Sequence, residues 1–343
     1  GGHQTPTLTW GERMKSFNSI LYVVENPEVE SPAAMARVVT LAENNQAQLS
    51  ILHVAEEPRL GPFAGRVAIA DVRAHLQQRA RERLQGLLRG ASGDRAAAIN
   101  VRFGIPFIEI IREVLRAGHD LVTKTVGEGG AHSYFFGGTD QHLLRKCPCP
   151  VWILVGDTSA NYRQILAAVD FDPWDEDDTE HGTDESLNQQ IVGLASSLAT
   201  SDFAQLHVIH AWQSITDTMI RIFSSDLAEQ DNHANRDDER RQHQARLNLL
   251  DGWLRGQLGS NAYRYLSPRF LLREGNAPEI IPTVAEELDA DLVVMGTVGR
   301  TGIPGLLIGN TAEVILNNLK CSVLTVKPAG FVTPVTLDRD PAP

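Results

Sequence analysis

Glycines 296, 299 and 309, with Asn310 and Thr311 directly behind the last, form the set in this chain best suited to hold a ligand. They stand as Gly296-Thr297-Val298-Gly299, nine residues, then Gly309-Asn310-Thr311, between the apolar run Leu292 to Met295 and the helix-periodic residues Val314, Ile315 and Leu319. Glycine lets a backbone approach a phosphate with no Cβ in the way. A loop that ends at a helix N-terminus also presents N–H groups and the positive end of the helix dipole. The chemistry implied is polyphosphate recognition, with Gly296 and Gly299 around a ribose and its first phosphate and Gly309 to Thr311 around the outer phosphates. Asp170, at the end of another apolar run, is placed to accept hydrogen bonds from a ribose or base. A competing role stays open at Asn310. Asn310-x-x-Glu313 has the form of a capping box, in which the Asn side chain satisfies helix N–H groups itself.

Such a loop needs a strand before it and a helix after it, and the chain contains this arrangement twice. Thr125-Val126-Gly127 returns as Thr297-Val298-Gly299, and the same 172-residue offset carries Gly137 to Gly309, Thr139 to Thr311, Cys149 to Cys321 and Val151 to Val323. Between Lys124 and Val155, nine of 32 positions are identical to their counterparts, where composition alone gives about two. Upstream, Asp120-Leu121-Val122 matches Asp291-Leu292-Val293, Gly104 matches Gly275, and Val24-Glu25 corresponds to Val169-Asp170.

Each copy alternates short apolar runs with helical patterns. In the first, runs at Ile20 to Val24, Leu49 to Val54, near Val101, Leu121 to Val126 and Val151 to Val155 read as strands. Between them Ser31 caps a helix opened by Pro32, and a long helix through Val72, Leu76, Ala80, Leu84 and Leu88 ends near Gly90. The second copy repeats this with strands near Ile165 to Val169, Leu206 to Ile209, Phe270 to Leu272, Leu292 to Met295 and Val323 to Val326. Nearly uninterrupted apolar strands separated by helices predict parallel sheets covered on both faces. The expected fold is α/β, two tandem doubly wound domains, each with a five-stranded parallel sheet. The expected domains are 17–156 and 157–330, with tails at 1–16 and 331–343. In such sheets a ligand sits beyond the carboxyl ends of the strands, where the glycine loop lies.

The string Gly296-Thr-Val-Gly-Arg-Thr-Gly302, the spacing Gly296-x-x-Gly299-x9-Gly309, the run Gly309-Asn-Thr-Ala-Glu313 and the duplication resemble the universal stress protein family, in its tandem E-type form. The resemblance covers about residues 17 to 328. It implies strand order 3-2-1-4-5 in each half and ATP, with Mg²⁺ beside the phosphates, as the cofactor. It further implies Asp170 and Leu206 near the adenosine, and Gly296, Gly299, Gly309 and Asn310 around the phosphates. Where ATP-binding relatives carry Ser or Thr after the last glycine, this chain has Asn310, with the hydroxyl one place later at Thr311. Single-domain members dimerise. Here the covalent repeat implies an internal pseudo-dimer and leaves a homodimer of whole chains open.

The first copy departs from the motif. Lys124 stands at the place of Gly296, and Glu25 at the place of Asp170. A side chain at Lys124 falls where a nucleotide would lie, although a lysine can also neutralise an anion, so the first half is expected to be structural in preference to a second nucleotide site.

Other chemistry is thinly represented. No G-x-x-x-x-G-K-[ST], H-E-x-x-H, G-x-S-x-G or paired C-x-x-C occurs. The acidic stretch from Asp172 to Glu185 lacks the spacing of a calcium loop and reads as a solvated loop. His53, His207 and His210 read as packed strand histidines, and the pair Cys147 and Cys149 has too few ligands for zinc. The region from Asp226 to Leu258 reads as a charged face followed by an amphipathic helix that buries Leu247, Leu250 and Leu254. With 31 basic and 43 acidic residues the net charge is −12, which disfavours nucleic acid and anionic membranes as partners. No apolar run approaches the roughly 20 residues of a membrane span, and residues 1–13 lack a secretory layout, so the expected location is the cytosol. No general base or nucleophile is positioned, so no enzyme activity beyond slow ATP hydrolysis is expected. The expected function is a stress-response regulator that binds ATP or a related adenine nucleotide in its second half. The alternative is a scaffold or lipophilic-ligand binder working through the surface between the repeats.

Overall fold

The computed structural model describes residues 17–58, 68–92, 96–126, 137–155, 161–171, 183–214, 229–297 and 309–337. The first half runs β1 (Ser19–Val23), α1 (Pro32–Asn44), β2 (Gln48–Ala55), α2 (Ile69–Ser92), β3 (Ala98–Phe103), α3 (Pro106–Ala117), β4 (Leu121–Thr125), α4 (Gly138–Lys146) and β5 (Val151–Leu154). The second runs β6 (Gln164–Val169), α5 (Thr183–Asp202), β7 (Gln205–Trp212), α6 (Glu229–Leu266), β8 (Arg269–Glu274), α7 (Ala277–Glu287), β9 (Leu292–Gly296), α8 (Asn310–Asn318) and β10 (Ser322–Val326).

Local chemistry sets these boundaries. Ser31 caps α1, its hydroxyl accepting from the Ala34 N–H at 3.3 Å, and Pro32 opens the helix. Gly118 closes α3 in the left-handed conformation, φ 68°. Gly259 breaks α6 with φ 76° and ψ 161°.

Successive strand residues feed two separate cores. Ile20, Tyr22, Ile165 and Ala167 face a layer that includes Leu84 of α2, Ile191 of α5 and Leu247 of α6, whereas Leu21, Val23, Leu166 and Ala168 face Ile110 of α3, Leu143 of α4, Ile281 of α7 and Ile315 of α8. Both sheet faces are covered, which is why the strands are apolar throughout.

The strand order is β3-β2-β1-β4-β5-β10-β9-β6-β7-β8, so each half reads 3-2-1-4-5 and is parallel within itself. The five-stranded parallel sheet expected of each half is present, and the two are joined edge to edge. β5 and β10 pair antiparallel, Val323 with Ile153 and Thr325 with Val151, and fuse the halves into one ten-stranded sheet. Two copies meeting edge to edge about a twofold axis must pair antiparallel. The contact removes two exposed strand edges that would otherwise invite association, and it makes the chain its own pseudo-dimer.

The repeat has a physical basis beyond its core. Asp120 accepts from the N–H groups of Asn18 at 2.7 Å and Ser19 at 2.9 Å, fixing the entry to β1. Asp291 does the same for Arg163 at 2.6 Å and Gln164 at 2.9 Å before β6. The two acids matched by sequence hold the same joint in each half.

Candidate functional site

In the second half, the carboxyl ends of β6, β7 and β9 and the N-terminus of α8 surround a cavity of about 460 Å³, within the range of small-molecule sites. Asp170, Gly296, Gly309, Asn310 and Thr311 all line it. Gly299 lies outside the described residues, as does the rest of the connection 298–308. The acidic stretch lies outside them over 172–182.

Leu206 requires a correction. It is the second residue of β7, paired with Ile165 at the amino end of the strand, and is fully buried in the core facing α5 and α6. Ligand crevices of such sheets open at the other end, and there β7 contributes Ala211 instead.

The start of α8 is defined by Gly309, with φ −58° and ψ 139° and no side-chain cap. Its N–H is already committed, donating to the Thr297 carbonyl at 3.0 Å, and the first helical bond runs from Glu313 N–H to Gly309 O at 3.0 Å. Gly309 therefore ties the start of α8 to Thr297, and the amides of Asn310, Thr311 and Ala312 are the ones that precede the helical ladder. The capping-box reading of Asn310 is not realised. Asn310 is the first helical residue, and Glu313 instead reaches across to Arg145 of α4 in an ion pair.

On the opposite wall, Asn188 of α5 fastens the strand-end turn. Its Oδ1 accepts from the Asp170 N–H at 3.1 Å and its Nδ2 donates to the Asp170 carbonyl at 2.7 Å. Both backbone groups of Asp170 are thereby fixed while its exposed side chain stands at the cavity mouth. The sequence signal for Asn188 was a polar residue on an otherwise apolar helix face beside Leu187, Ile191 and Val192. A Cβ on Gly296 would meet Leu187 Cδ2 at 3.0 Å, so glycine keeps this wall open.

The first half shows what closes such a site. Lys124, at the position of Gly296, is fully buried, and its ammonium pairs with Asp140, also fully buried. It also bonds Glu25 at 3.1 Å and the Thr125 carbonyl at 2.7 Å. Asp140 occupies the position of Ala312, and its other oxygen accepts from the Gly137 N–H at 3.1 Å at the start of α4. The carboxylate that a bound anion would present to a helix N-terminus is supplied by the chain itself. Beside it, Glu30 accepts from the Tyr22 hydroxyl at 2.8 Å, and burial pushes its carboxyl above the usual range despite that bond.

The histidines are built into the packing. His53 Nδ1 lies 2.9 Å from the Val24 carbonyl and His210 Nδ1 3.3 Å from that of Val169, the same contact in each half. His210 Nε2 also lies 2.8 Å from His243 Nδ1, and His207 bonds Gln164. Among the described residues no group of three or more His, Cys, Asp or Glu is arranged to hold a metal ion, and no helix is long and apolar enough to cross a membrane.

The family model described as the universal stress protein family matches residues 16–154 and again 161–327. The chain belongs to the universal stress protein family. It is a tandem member, placed with proteins of the stress response, and is similar to Universal stress protein E of Escherichia coli K12, 35% identical over 236 residues that cover 68% of this chain and 69% of that one. The Universal stress protein E homologue of Haemophilus influenzae is 30% identical over 91% of this chain and 98% of its own. Among solved structures, a functionally unknown protein of Pseudomonas aeruginosa PAO1 is similar with a TM-score of 0.61 and 27% identity, covering 92% of this chain and 94% of that chain.

Proposed function

We propose that this tandem universal stress protein binds ATP or a related adenine nucleotide in its second half and acts in the cytoplasm as a nucleotide-responsive regulator. One contrast carries the reading. At the two equivalent positions where the first half places a buried lysine and aspartate, the second half has Gly296 and Ala312 and a cavity. In this reading Asp170 holds the ribose or base, and the amides of Asn310, Thr311 and Ala312 receive the phosphates with the Asn310 and Thr311 side chains beside them. Mg²⁺ then offsets the negative charge of the polyphosphate and of an acidic chain. Among the described residues none around the cavity is paired as nucleophile and base, which supports a binding role with slow hydrolysis at most.

The test is direct. Protein purified without added nucleotide is denatured and the supernatant analysed for adenine absorbance, and the stripped protein is titrated calorimetrically with Mg-ATP. Bound adenine nucleotide or saturable heat at micromolar ATP is expected; neither, up to high micromolar ATP, rejects the reading.

One observation favours the scaffold alternative. A groove of about 730 Å³ spans the two halves, with Asn44 and Asn45 on one side and Leu198, Phe203 and Tyr265 on the other. If nucleotide is absent, this surface is the next candidate for a ligand.

A further inference from the structure

Cys147 and Cys149 lie on either side of Pro148 between α4 and β5, away from the residues that line the cavity. Cys147 ends α4: its N–H donates to the Leu143 carbonyl at 2.9 Å, and its backbone leaves the helix with φ −69° and ψ 130°. Pro148 fixes the next φ near −65°. The turn brings the two sulfurs to 3.6 Å, within hydrogen-bonding distance. Cys147 is fully buried and Cys149 is 9% exposed. The second half repeats Cys149 as Cys321 but has Leu319 at the place of Cys147, so the dithiol occurs once.

The other half supplies a cation. The antiparallel register that pairs Thr325 with Val151, carried two residues further, sets Lys327 opposite Cys149. Its buried ammonium donates to the Leu144 carbonyl at 2.6 Å and to Thr297 Oγ1 at 3.3 Å. Burial lowers the Lys327 pKa to about 8, and the nearby sulfurs hold it from falling further. Burial raises the Cys147 thiol, but hydrogen bonds from the Cys149 thiol and backbone N–H, with the charge of Lys327, bring it below its ordinary value. Two sulfurs within hydrogen-bonding distance beside a cation that favours the thiolate form are the arrangement of a reactive dithiol.

We propose that Cys147 and Cys149 form a redox-active pair, assisted by Lys327 across the seam, which a hydroperoxide converts into an intrachain disulfide. One thiolate of the pair attacks a peroxide oxygen, the O–O bond breaks, and a sulfenic acid forms with release of hydroxide, or of alkoxide from an organic peroxide. The second sulfur attacks the sulfenic sulfur, expels its oxygen as water, and closes the S–S bond. With hydrogen peroxide, two thiols lose two electrons and two protons while the peroxide becomes two waters. Burial excludes larger thiols, so the reaction ends within the chain. Nothing in this step depends on nucleotide binding.

The experiment treats the full chain with hydrogen peroxide under native conditions, quenches, denatures and alkylates with N-ethylmaleimide before peptide mass analysis. The peptide holding both cysteines is expected about two mass units lighter and unalkylated, restored by dithiothreitol, with Cys321 alkylated throughout. Cys147→Ser and Cys149→Ser each abolish the change. Lys327→Met slows it about tenfold and Lys327→Arg preserves it. Melting curves on each variant confirm a folded chain. Alkylation of both sulfurs after millimolar peroxide, or a disulfide to another chain, overturns the proposal. Equal oxidation rates in folded Lys327→Met and the unaltered chain overturn the part given to the lysine.

Discussion

Arg37 of α1 and Asp202 at the end of α5 join the two halves through a bidentate salt bridge, with N–O distances of 3.0 and 2.5 Å and side chains only 2% and 3% exposed. The guanidinium lies over the Tyr162 ring at 4.4 Å, and Asp202 also accepts from the Tyr162 N–H at 3.0 Å. Asn45, the counterpart of Asp202 in the first half, holds the Phe17 N–H in the same way at 3.1 Å but makes no ion pair. The charged pair is thus a device of the interface superimposed on a repeated joint. Removing one member leaves a buried charge without its counterion, which costs about 3–5 kcal/mol. Asp202→Ala is expected to lower unfolding stability by that amount in urea titration, and Arg37→Met with Asp202→Leu to recover most of it. Equal stability of Asp202→Ala and the unaltered chain would contradict the role.

Glu30 gives a pH signature. Its folded-state pKa is raised, mainly by burial, so between its ordinary and raised values the native state holds more protons than the unfolded chain. Its contribution to stability therefore falls as pH rises through that window. Glu30→Gln keeps an acceptor for Tyr22 and removes the titration. The stability of the variant relative to the unaltered chain is expected to improve from about pH 4.5 upward, measured as urea midpoints at several pH values. A constant difference across pH would show that folding does not raise the Glu30 pKa.

The backbone at three helix ends predicts an increment of stability. Gln46, Phe203 and Asp289 have φ of 52°, 58° and 48°, and the next residue in each case bonds back to a helix carbonyl, Ala47 to Ala42, Ala204 to Ala199 and Ala290 to Ala285, all at 2.8 Å. A left-handed residue at a helix end favours glycine. Gln46→Gly is expected to raise stability by about 0.5–1 kcal/mol, read from the thermal midpoint; a drop would show that the Gln side chain contributes more than the strain.

Much of this was legible because the repeat constrains itself. Offsets of 171 residues from Asp120 to Asp291 and 172 from Gly137 to Gly309 can persist only if both copies build the same joints, and the structure gives each of these residues its backbone partner. The seam was not legible, since β5 and β10 read as ordinary buried strands and nothing in their side chains states which neighbour covers them. Leu206 was placed by family likeness alone, and its position at the amino end of β7 takes it away from the crevice. Lys124 stood out as a departure from the glycine motif. Asp140 did not, because its role depends on a contact between a strand end and a helix start brought together only by folding.

For the cavity wall, Asn188→Ala is expected to weaken Mg-ATP binding about tenfold, near 1.4 kcal/mol, by freeing the Asp170 turn, with a stability loss of about 1–3 kcal/mol from the two backbone groups it leaves unsatisfied. Calorimetric titration and urea unfolding of the same samples separate the two effects. Unchanged affinity with lowered stability would confine Asn188 to a structural role.

The pair Lys124 and Asp140 can be transplanted. Gly296→Lys with Ala312→Asp introduces into the second half both charges that close the first, opposite in sign and so self-compensating, and the nearest clash for the new Cβ at 296 is the flexible end of Leu187. The double variant is expected to fold and to lose Mg-ATP binding by more than about a hundredfold, because an internal carboxylate at the start of α8 takes the place of the phosphate. Either single substitution is expected to be less stable than the double, since each buries a charge with no counterion. Lys124→Gly with Asp140→Ala performs the reverse operation on the first half, and it leaves Glu25 in the position that Asp170 holds in the second. Retained affinity in a folded Gly296→Lys, Ala312→Asp chain would place the nucleotide elsewhere, and the groove between α1 and α5 would then be the surface to probe.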